Sequence, residues 1–308
     1  MSTTVKQFSL GEWIGIWIKA ARAPFLVTSA LPAILGGVIA YAHGAFDWTI
    51  FLLAFLGIIF AHTAADFIDD YFDYKNGNFA NKDQQFHDSP LVRGIISANQ
   101  VLLAFLLCLA LALAAGLYIL LHVGAPVLIL TAVGAFIVLF YTSPPVRLNF
   151  RGLGETSLFL AFGPMVVFGV YFVLTQSFNW SPILAAVPIG IFVMNVGIVS
   201  NIFDHDDDVK NKKFTMPVKL GQATAVKVLT VVTILAYLFP IACVVFGMLP
   251  LSCLLILLTL PMSLKMLKLA QHYSDLSQYQ PAMSQAIGVV TLGSLAMIIG
   301  YAIAIFIQ

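Results

Sequence analysis

Residues 65–77 read ADFIDDYFDYKNG, and residues 201–211 read NIFDHDDDVKN. Each stretch closes a long apolar run. Together they hold Asp66, Asp69, Asp70, Asp73, Asp204, Asp206, Asp207 and Asp208, more than half of the 14 carboxylates in the chain. The rest of the sequence makes that placement informative. Of 308 residues, 60% are hydrophobic and 9% charged, and the mean hydropathy is +0.97. Soluble domains carry roughly 25% charged residues, so the composition excludes a soluble globular protein and points to a polytopic membrane protein. Charge near a bilayer is costly, and grouped acids there mark a functional site with a partner.

A helix needs about 20 apolar residues to cross a bilayer. Nine such segments are expected, at 17–42, 48–66, 101–121, 126–141, 153–174, 183–203, 226–246, 251–269 and 286–307, the fourth being the shortest. With this count every Lys and Arg falls on one side. Lys6, Lys19 and Arg22 lie at the first span; Lys75, Lys82 and Arg93 follow the second; Arg147 and Arg151 the fourth; Lys210, Lys212, Lys213, Lys219 and Lys227 the sixth; Lys265 and Lys268 end the eighth. The positive-inside rule makes this side cytoplasmic. The N-terminus and the two Asp-rich loops are therefore expected inside and Gln308 outside. The fold class expected is an all-α bundle of nine transmembrane helices around a central cavity.

Positions i, i+3, i+4 and i+7 share one helix face. Asp66, Asp69, Asp70 and Asp73 have that spacing, and Asp204 and Asp208 are i, i+4. Like charges so grouped repel, and a bound cation removes the conflict. The natural candidate is Mg²⁺, which takes a few carboxylates, keeps waters and binds substrate phosphates. Lys75, Arg93, Arg151, Lys213 and Lys219 lie in the same loops and can clamp phosphate oxygens. The plainer alternatives are that the acids are solvated helix ends and that the basic residues only set topology. His62, one turn before Asp66, either faces the site or is hydrogen-bonded structure. Cys108, Cys243 and Cys253 read as small buried hydrophobes.

The two acidic stretches echo each other. Each is followed by a polar loop and then a Pro-containing segment with a basic residue and a Gly: SPLVRGIIS at 89–97 and TMPVKLGQA at 215–223. The chain reads as one membrane domain over 1–308, with pseudo-repeated halves at about 13–125 and 126–246 and two further helices. No cleaved signal peptide is expected.

These patches, with RAPFL at 22–26 and YTSPPVRLNFRGLGE at 141–155, resemble the UbiA superfamily of intramembrane prenyltransferases, in particular the branch that prenylates 1,4-dihydroxy-2-naphthoate for menaquinone synthesis. The resemblance implies a mechanism. Aspartates hold Mg²⁺ on the diphosphate of an allylic isoprenoid, the diphosphate leaves, and an electron-rich aromatic acceptor attacks the cation. It implies metal ligands at Asp70, Asp73, Asp204 and Asp208, joined by Asp66 and Asp69. It implies diphosphate or acceptor contacts at Lys75, Arg93, Arg151, Lys213 and Asn201, and an acceptor end near Tyr141 and Glu155. A bacterial inner membrane is the expected location, with the lipid bilayer as surroundings and no nucleic-acid partner. The sequence departs from the branch pattern where Asp66 and Asp69 replace two Asn, and where Ser200 and Phe203 replace an Asn and an Arg. Those departures leave a terpene cyclase of the same superfamily open. From another class, an ion-coupled transporter is disfavoured because the mid-span regions are nearly free of charge.

Overall fold

The computed structural model describes residues 8–77 and 89–307. Lys6, Lys82, Gln308 and residues 78–88 of the first Asp-rich loop lie outside the described residues. The chain is all-helical. Eight helical segments are long and apolar enough to cross a membrane, and a shorter apolar helix, Pro126–Phe140, stands between the third and fourth of them. At 1.5 Å per residue its 15 residues reach about 22 Å, short of a ~30 Å hydrocarbon core.

The start of the first expected span is corrected. Residues 17–22 are not part of the crossing, whose helical segment begins at Ala23. An amphipathic helix α1 (Leu10–Ala20) comes first, opened by a reciprocal cap in which the Glu12 backbone N–H donates to Ser9 Oγ and the Ser9 N–H donates to Glu12 Oε2. Trp13, Ile16 and Trp17 pack inward, against Phe67 among others, and Leu10, Ile14 and Ile18 are exposed. Pro24 then forbids continuation, since its ring would strike the carbonyl four residues back. The chain breaks at Arg22, whose φ is 46°, and resumes in α2 (Val27–Ala42).

α3 (Trp48–Asn76) is capped by Asp47, which accepts from the Ile50 N–H at 2.8 Å, and ends at Gly77 with φ 80°. Its 29 residues span about 44 Å, so its last turns outrun the apolar layer. The first acidic block is helical, as its i, i+3, i+4, i+7 spacing predicts, and the helix runs on to Asn76, past the expected end of the second span at residue 66: Asp66 to Asp73 ride on those turns. α4 (Ala98–Val123) packs back along α3. α5 (Pro126–Phe140) follows, and then α6 (Gly154–Thr175), which carries a π-helical stretch at Ala161–Met165 around Pro164. α7 (Trp180–Phe203) is the central helix, buried nearly all round. A short α8 (His205–Lys210) carries the second acidic block, and α9 (Met216–Leu220) leads into α10 (Gln222–Val245), α11 (Leu251–Ala270) and α12 (Pro281–Ile307).

The largest core cluster surrounds α7, with α2, α6, α10, α11 and α12 packed on it. α6 reaches α7 through glycine. A Cβ on Gly163 would stand 2.7 Å from the Gly190 Cα, so only the bare backbones allow this approach. On the other side of the bundle α3, α4, α5, α6 and α7 stand apart and enclose a cavity of about 400 Å³.

Candidate active site

The cavity is aliphatic along most of its length. Gly57, Gly116, Gly134, Gly169 and Gly197 keep its walls back, and Leu, Ile and Val side chains line it. The π-helical stretch turns Phe162 and Met165 into it. Its polar end is built by Arg22, His62, Asp66, Asp69, Tyr141, Asn149, Asn201, Asp204 and Lys213.

The four acids of α3 do share one face, and the side chain that meets them is Arg22. Its Nη2 donates to Asp70 Oδ1 and lies 3.5 Å from Asp69 Oδ2, while Nη1 is 3.8 Å from Asp66 Oδ1. Burial alone would pull the guanidinium down, but Asp70, Asp66, Asp69 and Asp73 hold it above its ordinary value. The left-handed backbone at Arg22, set by the break before Pro24, is what carries this residue to the cluster. His62 resolves as both of its expected readings: its Nδ1 pairs with Ser29 Oγ at 2.9 Å, its Nε2 is 3.7 Å from Asp66 Oδ2, and it lines the cavity.

Across the cavity the second block is organised by Lys213, buried with its Nζ 3.4 Å from Asp208 Oδ1. The Thr215 hydroxyl donates to Asp208 Oδ2 at 3.0 Å. Burial pushes the Asp208 carboxyl up, against the opposing pull of Lys213 and Thr215, and Asp73 adds to the rise. Burial would lower the Lys213 ammonium, yet Asp73, Asp208, Asp69 and Asp204 together raise it. Lys213 thus feels both acidic blocks at once, so the two blocks face each other across one small space. Asp206 is exposed beside His205, and Asp207 pairs with Lys210 at 3.4 Å.

The segment between α5 and α6 closes the polar end. Gly152 has φ 70°, which admits a residue without Cβ, and a Cβ on Gly154 would lie 2.4 Å from Asn149 Oδ1. The two glycines of RGLGE therefore fold Asn149 against the cavity. Glu155, expected near an acceptor, does not line the cavity; it is buried behind Asn201.

Of the residues singled out in the sequence, Asp66, Asp69, Asp204, Asn201, Lys213 and Tyr141 line the cavity. Asp70, Asp73 and Asp208 are buried beside it. Lys75, Arg93 and Arg151 are exposed and do not line it. Lys75 sits 5.7 Å over the Tyr71 ring, and Arg151 donates to the Pro145 carbonyl at 3.2 Å. Phe203, which replaces the Arg of the branch pattern, is buried with its ring on Tyr279. In the sequence Arg22 counts as one of the charges on the positive side and as part of RAPFL, not as a partner of the acids; a basic residue at a Pro-marked break in an apolar run is the available signal.

Among the described residues no three His, Cys, Asp or Glu side chains converge tightly enough to hold one metal ion by themselves. The donor set nevertheless suits Mg²⁺, which commonly takes one or two carboxylates and completes its shell with water and substrate phosphates. Asp66 and Asp69 on one wall and Asp204 on the other are hard oxygen donors facing the shared space.

Fold and cavity define a class: a helical membrane bundle whose charged pocket opens into an apolar interior. Residues 29–286 match the UbiA prenyltransferase family. The chain is 28% identical over 269 residues to a 2-carboxy-1,4-naphthoquinone phytyltransferase of Synechocystis sp., covering 84% of each protein. It is 25% identical to a 1,4-dihydroxy-2-naphthoate octaprenyltransferase of Bacillus subtilis, covering 80% of this chain and 78% of that one. Among solved structures, a UbiA homolog from Aeropyrum pernix aligns with a TM-score of 0.68 at 16% identity, over 89% of this chain and 97% of that one. A UbiA homolog from Archaeoglobus fulgidus bound to GPP and Mg²⁺ aligns with a TM-score of 0.58 at 16% identity, over 92% and 99%. The chain belongs to the UbiA prenyltransferase family and is a prenyltransferase.

Proposed function

We propose that the protein transfers a polyprenyl group from an allylic isoprenyl diphosphate to an aromatic quinone precursor such as 1,4-dihydroxy-2-naphthoate, in an Mg²⁺-dependent reaction. One observation carries this reading. A pocket of opposed carboxylates with the cations Arg22 and Lys213 is continuous with a long aliphatic cavity, the shape of a substrate with a diphosphate head and a hydrocarbon tail. The names of the naphthoate-prenylating relatives support the acceptor class.

Asp66, Asp69 and Asp204, backed by Asp70, Asp73 and Asp208, would hold Mg²⁺, which neutralises diphosphate charge when bound. Arg22 and Lys213 stand at the same end as fixed cations. They favour the negative charge that develops as the allylic C–O bond breaks and its electron pair leaves with the diphosphate. The aliphatic walls hold the chain and keep water from the allylic carbon. Tyr141 and Asn201, at the boundary of the polar and apolar regions, contact the acceptor as its ring carbon forms the new C–C bond and then loses the group it carried, a proton or the carboxylate as CO₂, leaving its bonding electrons to restore the aromatic ring. Lys75, Arg93 and Arg151, exposed at the same end, act in drawing the anionic substrates towards the pocket.

The same reading makes the Asp-bearing end cytoplasmic, in a bacterial inner membrane, with Pro126–Phe140 completing nine crossings and the C-terminus outside. It keeps one domain of two pseudo-repeated halves. The test is a product assay on purified protein, given a radiolabelled allylic diphosphate with and without Mg²⁺ and 1,4-dihydroxy-2-naphthoate. A prenylated aromatic formed only with both supports the reading. Diphosphate release with a hydrocarbon product, indifferent to the acceptor, replaces it with a cyclase.

A further inference from the structure

Glu155 is a carboxylate within the membrane bundle that the mechanism above does not use. It is 1% exposed, on the first turn of α6. Its Oε1 accepts two hydrogen bonds, from Asn201 Nδ2 at 2.9 Å and from the Met216 backbone N–H at 3.2 Å. Its Oε2 is buried and meets no donor among the described residues. Asn201 lies on the last turn of α7, three positions before Asp204, and lines the cavity. Met216 follows Thr215, whose hydroxyl holds Asp208, and that loop also carries Lys213. One oxygen atom therefore joins three parts of the site: the RGLGE turn, the end of α7 and the Lys213 loop.

The chemistry of the bond fixes a direction. A carboxylate oxygen only accepts, so the Asn201 amide must turn its NH₂ to Glu155. With the NH₂ turned to Glu155 and one of its two N–H bonds committed there, the Oδ1 is the end of the amide left to face the cavity, and it is an acceptor. An acceptor suits an O–H donor and not a diphosphate oxygen. We propose that Glu155 is a positioning residue that locks Asn201 with its amide oxygen towards the cavity, so that Asn201 receives the O–H of an aromatic acceptor or of a metal-bound water, while pinning the Lys213 loop to the same point. The proposal rests on the prenyl-transfer reading for the identity of its substrates.

Four proteins test it: wild type, Glu155→Gln, Asn201→Asp and the double variant. In Glu155→Gln the amide oxygen can accept both bonds, and most activity is retained. In Asn201→Asp two acceptors face each other, and activity falls at least tenfold. In the double variant the Gln amide can turn its NH₂ to the new carboxylate while its Oε1 keeps the Met216 N–H, and at least a third of the lost activity returns. The KM of each substrate and Mn²⁺ binding followed by electron paramagnetic resonance, without turnover, locate the O–H. A raised KM for the aromatic acceptor alone in Asn201→Asp assigns it to the acceptor. Weakened Mn²⁺ binding with that KM unchanged assigns it to metal-bound water. Either supports the proposal. Glu155→Gln as inactive as Asn201→Asp, or no recovery in the double variant, overturns it. No turnover by the wild type overturns the prenyl-transfer reading instead; Mn²⁺ binding weakened in Asn201→Asp and restored in the double variant then still supports the role of Glu155, and Mn²⁺ binding equal in all four proteins overturns it.

Discussion

Arg22 lies 48 residues before Asp70 in the chain, yet its guanidinium is the partner that lets the α3 acids sit together. The repulsion expected from the i, i+3, i+4, i+7 spacing is real, and a protein cation answers part of it. Removing that cation leaves buried carboxylates uncompensated, which costs up to about 3–5 kcal/mol. Arg22→Ala is expected to melt well below wild type in a detergent thermal-shift assay, and added Mg²⁺ should recover more of that loss than it adds to wild type. Equal Mg²⁺ responses would mean that Arg22 and the metal do not answer the same charges. Asp204→Ala removes a cavity-facing oxygen donor at the end of α7. It should lower turnover by a hundredfold or more while the melting temperature stays close to wild type; full turnover would remove Asp204 from the site. The acids were legible in the sequence because helical periodicity groups them without knowledge of the fold. The pairings of Arg22 and Glu155 were not, because their partners arrive from distant segments, 46 residues on in the case of the Glu155–Asn201 pair.

At the scale of elements, apolar length was enough to locate the crossing helices, since a run of about 20 hydrophobic residues has few other uses. Where helices break was less legible. Hydropathy averages across the Arg22–Pro24 break, so the last turn of α1, from Trp17, was read as the start of a span; only the capping box at Ser9 and Glu12 and the proline mark the boundary. The helical run of α3 to Asn76 shows in the spacing of its acids but not in its hydropathy, because its last turns are acidic. The contact between α6 and α7 depends on two bare backbones at Gly163 and Gly190. Gly163→Leu would drive a side chain into the α7 backbone, and overpacking of this kind costs about 1–3 kcal/mol. The expected outcome is a lower melting temperature together with lost activity, because the π-helical stretch that presents Phe162 and Met165 must move. A variant with wild-type stability would show that the helices can part at little cost.

At the scale of the whole molecule, the distribution of Lys and Arg predicts sidedness, and the 15-residue Pro126–Phe140 helix decides the count. If it crosses, Arg93 and Lys212 share one face and Phe178 lies on the other. If it does not, Arg93 and Lys212 are on opposite faces. Single cysteines at Arg93, Phe178 and Lys212, in a background lacking the three native ones, should label with a membrane-impermeant reagent with positions 93 and 212 as a pair and 178 as the outlier. Arg93→Cys and Lys212→Cys reacting from opposite sides would remove the ninth crossing.

The central claim is that one pocket holds a diphosphate between the two acidic blocks and passes its chain into the apolar cavity. The most direct measurement is a structure of the protein with Mg²⁺ and a non-reactive allylic diphosphate analogue. The account predicts the diphosphate between Asp66 and Asp69 on one side and Asp204 and Lys213 on the other, with the chain running past Gly134, Gly169 and Gly197. A diphosphate held at the exposed Arg93 and Arg151, with the cavity empty of the chain, would contradict it.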